Sequence, residues 1–203
     1  MSESPPVRHA SSLLLLRLGP KQTPDDTKVL MGARSAGHSF MPNRLVFPGG
    51  GVDAEDHDAP VARDISANVL RQLMSGTDER VARALPRAAA RELVEETGLH
   101  LGNPPDLSGL FYLCRAITPP PQKIRFDARF LLVDAAHATG TLGGSGELEG
   151  LSWFGVAEAL ALDLAFPTRK VLEQLTHWLA KTPAQRLADT ATPTLRDRCW
   201  TEE

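Results

Sequence analysis

The sequence predicts an α+β fold in which a mixed β-sheet is sandwiched between helices, α/β/α. Three observations lead there. Strand-type and helix-type segments are mixed without regular alternation, and no internal repeat is visible. The strand segments are short and are cut off by clusters of Gly and Pro. The 203 residues are 42% hydrophobic and 23% charged, enough apolar matter for a full core and the length of one domain spanning 1–203.

The elements follow in order. Residues 1–9 are polar and proline-containing, a loose arm. Ala10 to Leu18 and Thr27 to Arg34 read as strands, with Gly19-Pro20 and Pro24-Asp25-Asp26 supplying the turn between them. Leu45 to Phe47 is a third strand, stopped by Pro48 and three glycines. Val61, Ile65, Val69 and Leu73 recur every four residues, which predicts an amphipathic helix ending near Ser75-Gly76. Asp78 to Leu85 is a short helical piece. Pro86, whose missing N–H is harmless in a first turn, is expected to open a separate helix over 87–97 that stops at Gly98. Gly109 to Ala116 and Arg125 to Val133 are strands; in the second, Phe126, Ala128, Phe130 and Leu132 alternate with Arg125, Asp127 and Arg129. Gly140 to Gly146 is a glycine-rich loop and Leu151 to Phe154 a last strand. Helices over 156–162 and 167–181 follow, and the tail after Pro183 has little periodicity.

Composition excludes several classes. A formal charge of −3, from 22 Lys+Arg against 25 Asp+Glu, does not supply the basic surface of a nucleic-acid binder. Cys114 and Cys199 stand far apart, without metal-ligand spacing or a disulfide framework. The longest apolar run, Leu13 to Leu16, is too short to span a bilayer, and no positively charged leader precedes it. The expectation is a soluble cytoplasmic protein with neither a nucleic acid nor a membrane as partner.

The chemistry gathers in Arg91-Glu92-Leu93-Val94-Glu95-Glu96-Thr97-Gly98-Leu99. On a helix, Glu92, Glu95 and Glu96 fall at i, i+3 and i+4 and share one face. Like charges so spaced repel, and a hard divalent cation that prefers oxygen ligands would neutralise them. Arg91 stands four residues before Glu95 and can hold that carboxylate. Without further context such a cluster is ordinarily a solvated acidic face.

Residues 91–99 match R-E-U-x-E-E-x-G-U, with U aliphatic, at every position; a chance match in this chain is on the order of 10⁻⁵. That is the second half of the Nudix box, and Phe47-Pro-Gly-Gly-Gly-Val-Asp53 resembles its glycine-rich start. Lys28 to Arg34 resembles the strand before the box, and Glu147 to Leu160 the loop, Trp strand and helix after it. The resemblance covers most of residues 10–180. Two departures stand out: the position counted from Gly50 is Asp56 rather than Glu, and 34 residues, 57–90, replace the usual seven before Arg91. An interrupted box, with Gly37-His-Ser-Phe-Met-Pro42, Val46-Phe-Pro-Gly-Gly50 and Arg125-Phe-Asp-Ala-Arg-Phe130, is similar to a branch that includes the peroxisomal acyl-coenzyme A diphosphatases. Another coenzyme A branch carries His-x-Gly where Met41 and Asn43 stand here.

The resemblance implies a Nudix fold and a hydrolase that cleaves the diphosphate between a nucleoside and a moiety X. Glu92, Glu95 and Glu96 would be its catalytic carboxylates and, with Glu147, the ligands of Mg²⁺ or Mn²⁺; Glu149 is the second choice for the loop position. Gly50 and Gly51 would let the backbone approach metal and phosphate. Arg34 and Arg129 are the preferred diphosphate-binding arginines, ahead of Arg44 and Arg125. His38, His57 and Phe40 lie near the motif without an assigned role. Coenzyme A or an acyl-coenzyme A is the first substrate implied; ADP-ribose, sugar nucleotides or nucleoside triphosphates are the second. A ligand-binding regulatory domain is the non-enzymatic alternative, against which the intact carboxylates argue. The helical insert at 57–85 must leave and return to nearly the same place. Its apolar stripe is expected to pack beside the cleft, where it would help shape the pocket for X, or against a second subunit in a homodimer.

Overall fold

The structure, a computed structural model, describes residues 5–35, 44–120, 122–144 and 146–203. The 37–42 motif, with His38, Phe40, Met41 and the neighbouring Asn43, lies outside them. The architecture starts from β1 (Val7–Arg17), whose run Leu13-Leu14-Leu15-Leu16 is buried on both faces. A strand apolar on both sides belongs in the middle of a covered sheet. It pairs parallel with β7 (Arg125–Asp134) and antiparallel with β2 (Lys28–Arg34) and β4 (Gly49–Gly51). Among the described residues the sheet runs β11 (Cys199–Glu202), β10 (Pro193–Arg196), β6 (Phe111–Ile117), β7, β1, β2, β3 (Leu45–Val46), with β9 (Leu148–Gly155) also on β2. A separate pair joins β5 (Leu99–His100) to β8 (Thr139–Gly140).

One face of the sheet carries α1 (Ala67–Leu73) and α2 (Glu79–Thr97), whose Val69, Leu73, Leu85 and Leu93 pack on Leu13, Leu15 and Leu131. The other carries α3 (Val156–Ala161) and α4 (Phe166–Leu179), whose Val156, Val171, Leu172 and Leu175 pack on Leu14, Leu16 and Leu132. The expected helix–sheet–helix sandwich is present. Among the described residues no helix is long and apolar enough to cross a membrane.

Four features differ from the sequence expectation. The stripe from Val61 forms a helix only from Ala67, because residues 62 and 63 spend their backbone groups on the 105–107 segment: Ala62 N donates to Pro105 O and Leu107 N to Arg63 O, both at 2.9 Å. Ile65, Val69 and Leu73 nevertheless lie in this domain's own core. Pro86 sits inside α2 rather than opening a helix. The helix starts at Asp78, whose carboxylate caps Val81 N at 2.8 Å. Burial of Ala82, Leu85, Ala89 and Leu93 outweighs the roughly 3 kcal/mol that an interior proline costs. The helix stops at Gly98, which holds φ at +71°.

The third difference concerns β7, where the charged face is the more deeply buried one. Arg115 Nε and Nη2 grip the Asp127 carboxylate at 2.7 and 2.9 Å, and Arg129 Nη1 approaches the same group at 2.5 Å. Arg129 Nη2 donates to Ser75 O at 2.8 Å, so the ion cluster lies under the α1–α2 connection. Lastly, the tail is structured: α5 (Pro183–Ala188) leads to the β10–β11 hairpin, which extends the sheet by running β10 parallel to β6. Asn68 and Gln72 of α1 donate to the carbonyls of Asp189 and Ala191, at 2.6 and 2.8 Å, and so tie insert to tail.

Because the insert's stripe is part of this domain's core, Leu73→Ala should lower the unfolding free energy by about 2–5 kcal/mol. Urea denaturation reads that loss, and light scattering should show an unchanged particle size. A change in size with little loss of stability would instead place the stripe at a subunit interface.

Candidate active site

Two segments far apart in sequence meet at β4. Gly50 pairs with Ser11 of β1, and α2 crosses above it. A Cβ on Gly50 would overlap the Glu92 carboxylate, so only glycine lets that side chain lie on the strand. Gly49 N donates to Glu96 Oε2 at 2.8 Å. The close approach therefore involves Gly49 and Gly50. Gly51, expected to share that role, has room for a side chain and contributes its carbonyl, which accepts from Arg91 Nη2 at 3.0 Å.

Arg91 joins the two halves. Its Nε and Nη2 each reach one oxygen of Asp56 at 3.1 Å, and its Nη1 donates to Glu92 Oε1 at 2.8 Å and Glu95 Oε2 at 2.9 Å. Asp56 is 2% exposed and also accepts from Asp53 N at 2.8 Å. The aspartate that departs from the box thus performs a bidentate tie across the 34 intervening residues. Hydrogen bonds donated to Asp56 above all, with the nearby Glu92 charge, hold the Arg91 guanidinium firmly protonated.

Glu92 and Glu96 are buried, whereas Glu95 is exposed. Burial pushes the Glu96 carboxyl up to about 7; the Gly49 amide and Arg34 oppose the shift, and the charges of Glu92 and Glu147 add to it. Burial likewise raises Glu92, with Arg91 opposing and Glu95 and Glu147 adding. Glu147 is exposed, but its charge reaches both buried carboxylates, and its carbonyl accepts from Ser35 N at 3.1 Å beside Arg34. Glu149 lies opposite Ala33 in the β2–β9 ladder, also exposed.

The arginines divide. Arg34 acts on Glu96, lines the adjacent cavity and has a buried Nε without a hydrogen-bond acceptor among the described residues. Arg129 does not reach the cleft, a correction to the sequence expectation: it is 0% exposed, on the opposite face of the sheet, committed to Asp127 and Ser75. Alternation along β7 decides this, since Ala128 and Phe130 face the cavity and their neighbours cannot. Arg44 pairs with Asp163 at 2.7 Å, and Arg125 donates to the carbonyls of Thr118 and Pro5 at 3.2 Å. His57 closes a 3₁₀ turn, Ala54–His57, and its carbonyl accepts from Arg87.

The cavity, of about 490 Å³, opens on the α4 face and reaches Arg34, Gly49 and Gly50. Its floor follows from strand register: Ala116 of β6 pairs with Ala128 of β7, which pairs with Ala10 of β1. Three small side chains in one row leave space that larger ones would fill. Phe47 and Phe130 form an edge-to-face pair above it, centroids 6.3 Å apart. None of residues 57–85 lines this cavity, so the insert does not shape it directly. Sequence reading also missed Leu195 and Arg198, which line it from the tail.

The donor chemistry fits a hard divalent cation. All candidate ligands are carboxylate oxygens, and Glu96 Oε1 has no hydrogen-bond donor among the described residues although its residue is buried. Among the described residues no three or more His, Cys, Asp or Glu already form a metal-binding group. Glu92 and Glu95 rest on Arg91, and Glu96 on Gly49.

The family model described as NUDIX domain matches residues 80–175, which include Glu92, Glu95, Glu96 and Glu147. Residues 80–175 resemble a Nudix domain, and the sheet and helices have the Nudix fold. A NUDIX hydrolase from Alicyclobacillus acidocaldarius is 25% identical, with a TM-score of 0.64, over 85% of this chain and 92% of that one. A MutT NUDIX hydrolase from Burkholderia pseudomallei shares the fold at 21% identity and a TM-score of 0.55, covering 84% of this chain and 98% of that one. The NUDIX domain of Shewanella oneidensis NrtR, crystallised with ADP ribose, shares it at 18% identity and a TM-score of 0.55, covering 87% and 90%. No curated protein matches. The matched Nudix segment begins after the glycine strand and Asp56, and ends before the hairpin that closes the cavity.

Burial of Glu96 has a measurable signature. Without metal its folded form takes up a proton near pH 7, against an ordinary value of 4.5. The folded protein therefore binds more protons than the unfolded chain between those values, and its stability falls as pH rises through that window. Glu96→Gln should stabilise the metal-free protein by on the order of 3 kcal/mol above pH 7, and the gain should vanish below pH 4.5. Urea denaturation in chelator at pH 4.5 and 8 measures both ends.

Proposed function

We propose that this protein is a metal-dependent diphosphatase that hydrolyses a nucleoside diphosphate linked to a moiety X, with coenzyme A or an acyl-coenzyme A as X-bearing substrate. One observation carries the reading: three glutamates on one turn of α2 meet a side-chain-free strand that borders a large cavity. Glu92, Glu95 and Glu96, with Glu147 from the loop before β9, would hold Mg²⁺ or Mn²⁺. Such a cation, when bound, neutralises phosphate charge and lowers the pKa of coordinated water.

The chain's own residues do the rest. Gly49 and Gly50 let β1 and the Glu92 carboxylate lie directly on this strand, which brings the carboxylates to the edge of the cavity. Arg34, whose buried Nε has no acceptor among the described residues, is the guanidinium that would bind the diphosphate. Arg91 fixes Glu92 and Glu95 in direction and leaves Glu96 to the Gly49 amide. The apolar cavity beyond takes the organic part of the substrate and keeps water from it.

Coenzyme A is supported by the split box and by Val46-Phe-Pro-Gly-Gly50, and an apolar cavity suits an acyl or pantetheine chain. A binding domain without chemistry has no use for buried, mutually repelling carboxylates.

Chelator should abolish turnover, and Mg²⁺ or Mn²⁺ should restore it. Glu96→Gln should cost several orders of magnitude in kcat while the fold persists; near-normal turnover at saturating metal would overturn the site. Gly50→Ala should displace the Glu92 carboxylate and weaken Mn²⁺ binding about 10–100-fold, measured by calorimetry, with little change in Tm. A product-release screen over coenzyme A, acyl-coenzyme As, ADP-ribose, sugar nucleotides and nucleoside triphosphates should show coenzyme A or a short acyl-coenzyme A best. Turnover of ADP-ribose with coenzyme A untouched would keep the diphosphatase and replace the substrate.

A further inference from the structure

The insert does not touch the cavity, but it holds an element that does. Helix α1 is fixed to the sheet by Val69 and Leu73, both buried in the core. One residue before each of them, Asn68 and Gln72 share a neighbouring face of the helix. Both direct their amides at the tail: Asn68 Nδ2 donates to Asp189 O at 2.6 Å and Gln72 Nε2 to Ala191 O at 2.8 Å. Gln72 is 5% exposed, so water competes little for its bond. The two accepting carbonyls belong to the short connection between α5 and β10.

The hairpin that follows needs such holding. Among the described residues, β10 meets the sheet only at Thr194 and Leu195, opposite Arg115 and Ala116, and its other edge pairs with β11. A two-stranded hairpin on so short a ladder is marginal by itself. Its far end is tied toward the insert as well. Glu203, next after β11, pairs with Arg115 Nη1 at 2.5 Å. Gly76, at φ +67°, lets the α1–α2 connection lie on that same guanidinium, where a Cβ would overlap it. Held at both ends from the insert side, the hairpin presents Leu195 and Arg198 to the cavity.

We propose that α1 is a positioning element for the substrate pocket: through Asn68 and Gln72 it holds the hairpin in place as a wall of the cavity. It thereby sets affinity for the organic part of the substrate without acting on metal or phosphate. Asn68 and Gln72 are positioning residues, since neither lines the cavity. The consequence for substrate affinity rests on the diphosphatase reading; the clasp between insert and hairpin does not.

Amide hydrogen exchange of the full chain, without metal or substrate, tests the clasp. The double variant Asn68→Ala/Gln72→Met removes both donors with residues that favour a helix at least as well. Its amides at 193–202 should exchange roughly tenfold faster while those of α1 keep their protection. Val69→Ala, on the same helix, removes core contact and keeps both donors; it should lower Tm and leave hairpin exchange unchanged. With coenzyme A as substrate in Mg²⁺, the double variant should raise KM about five- to tenfold with kcat within about twofold of wild type. Its Mn²⁺ affinity, read by calorimetry, should equal that of the wild type. A hairpin that is not loosened, one loosened only together with α1, or one loosened with KM unchanged overturns the proposal, as does a fall in kcat in place of the rise in KM. A wild type that cleaves neither coenzyme A nor ADP-ribose would refute the diphosphatase instead, and hairpin exchange alone then decides the clasp.

Discussion

The bidentate contact between Arg91 and Asp56 holds the site together. A glycine strand and a helix separated by an insert must meet at ångström precision, and chain connectivity does not bring them there. Arg91 reaches Asp56 and the Gly51 carbonyl on one side and Glu92 and Glu95 on the other. One planar guanidinium thus fixes the strand, the turn after it and two carboxylates at once. The Asp56 carboxylate is almost fully buried, so its attraction to Arg91 is little screened by solvent, and losing either partner would leave a buried charge uncompensated.

The same constraint explains the energetics of the helix. Placing Glu92, Glu95 and Glu96 on one face and burying two of them opposes folding in the metal-free protein. Arg91 offsets this for Glu92 and Glu95, whereas Glu96 has one amide and stays near neutrality in its titration. A cation bound there, as proposed, would remove that imbalance. The insert fits the same scheme from outside: it bonds to the 105–107 segment and to the tail, adds Ile65, Val69 and Leu73 to the core, and returns the chain to α2 without touching the cavity.

Strand β7 divides the molecule's two polar systems. Its odd-numbered face buries Asp127 and Arg129 in an ion cluster with Arg115, and its even-numbered face offers Ala128 and Phe130 to the cavity. Apolar residues on this strand therefore face the more open side. A cavity meant for an organic ligand needs apolar walls exposed to it, and the neighbouring charges are satisfied by one another on the far face.

The local part of this site was legible in the sequence. Carboxylates at i, i+3 and i+4 share a face on any α-helix, Gly98 ends that helix, and residues 91–99 resemble the second half of the Nudix box. Ala10 to Leu18 read as a strand, and the structure adds that its Leu13 to Leu16 are buried on both faces. Sequence alone misjudged what depends on partners far along the chain: Pro86 inside a helix held by its core contacts, Arg129 turned away by strand register, Asp56 recruited across the insert, and a tail without periodicity that became a hairpin. The Ala10–Ala128–Ala116 row, and Arg198 beyond it, exist only once four strands are aligned. Helix spacing is set by bonds four residues apart, so the sequence determined it; register is set by which distant strands pair, so only the tertiary structure decided it.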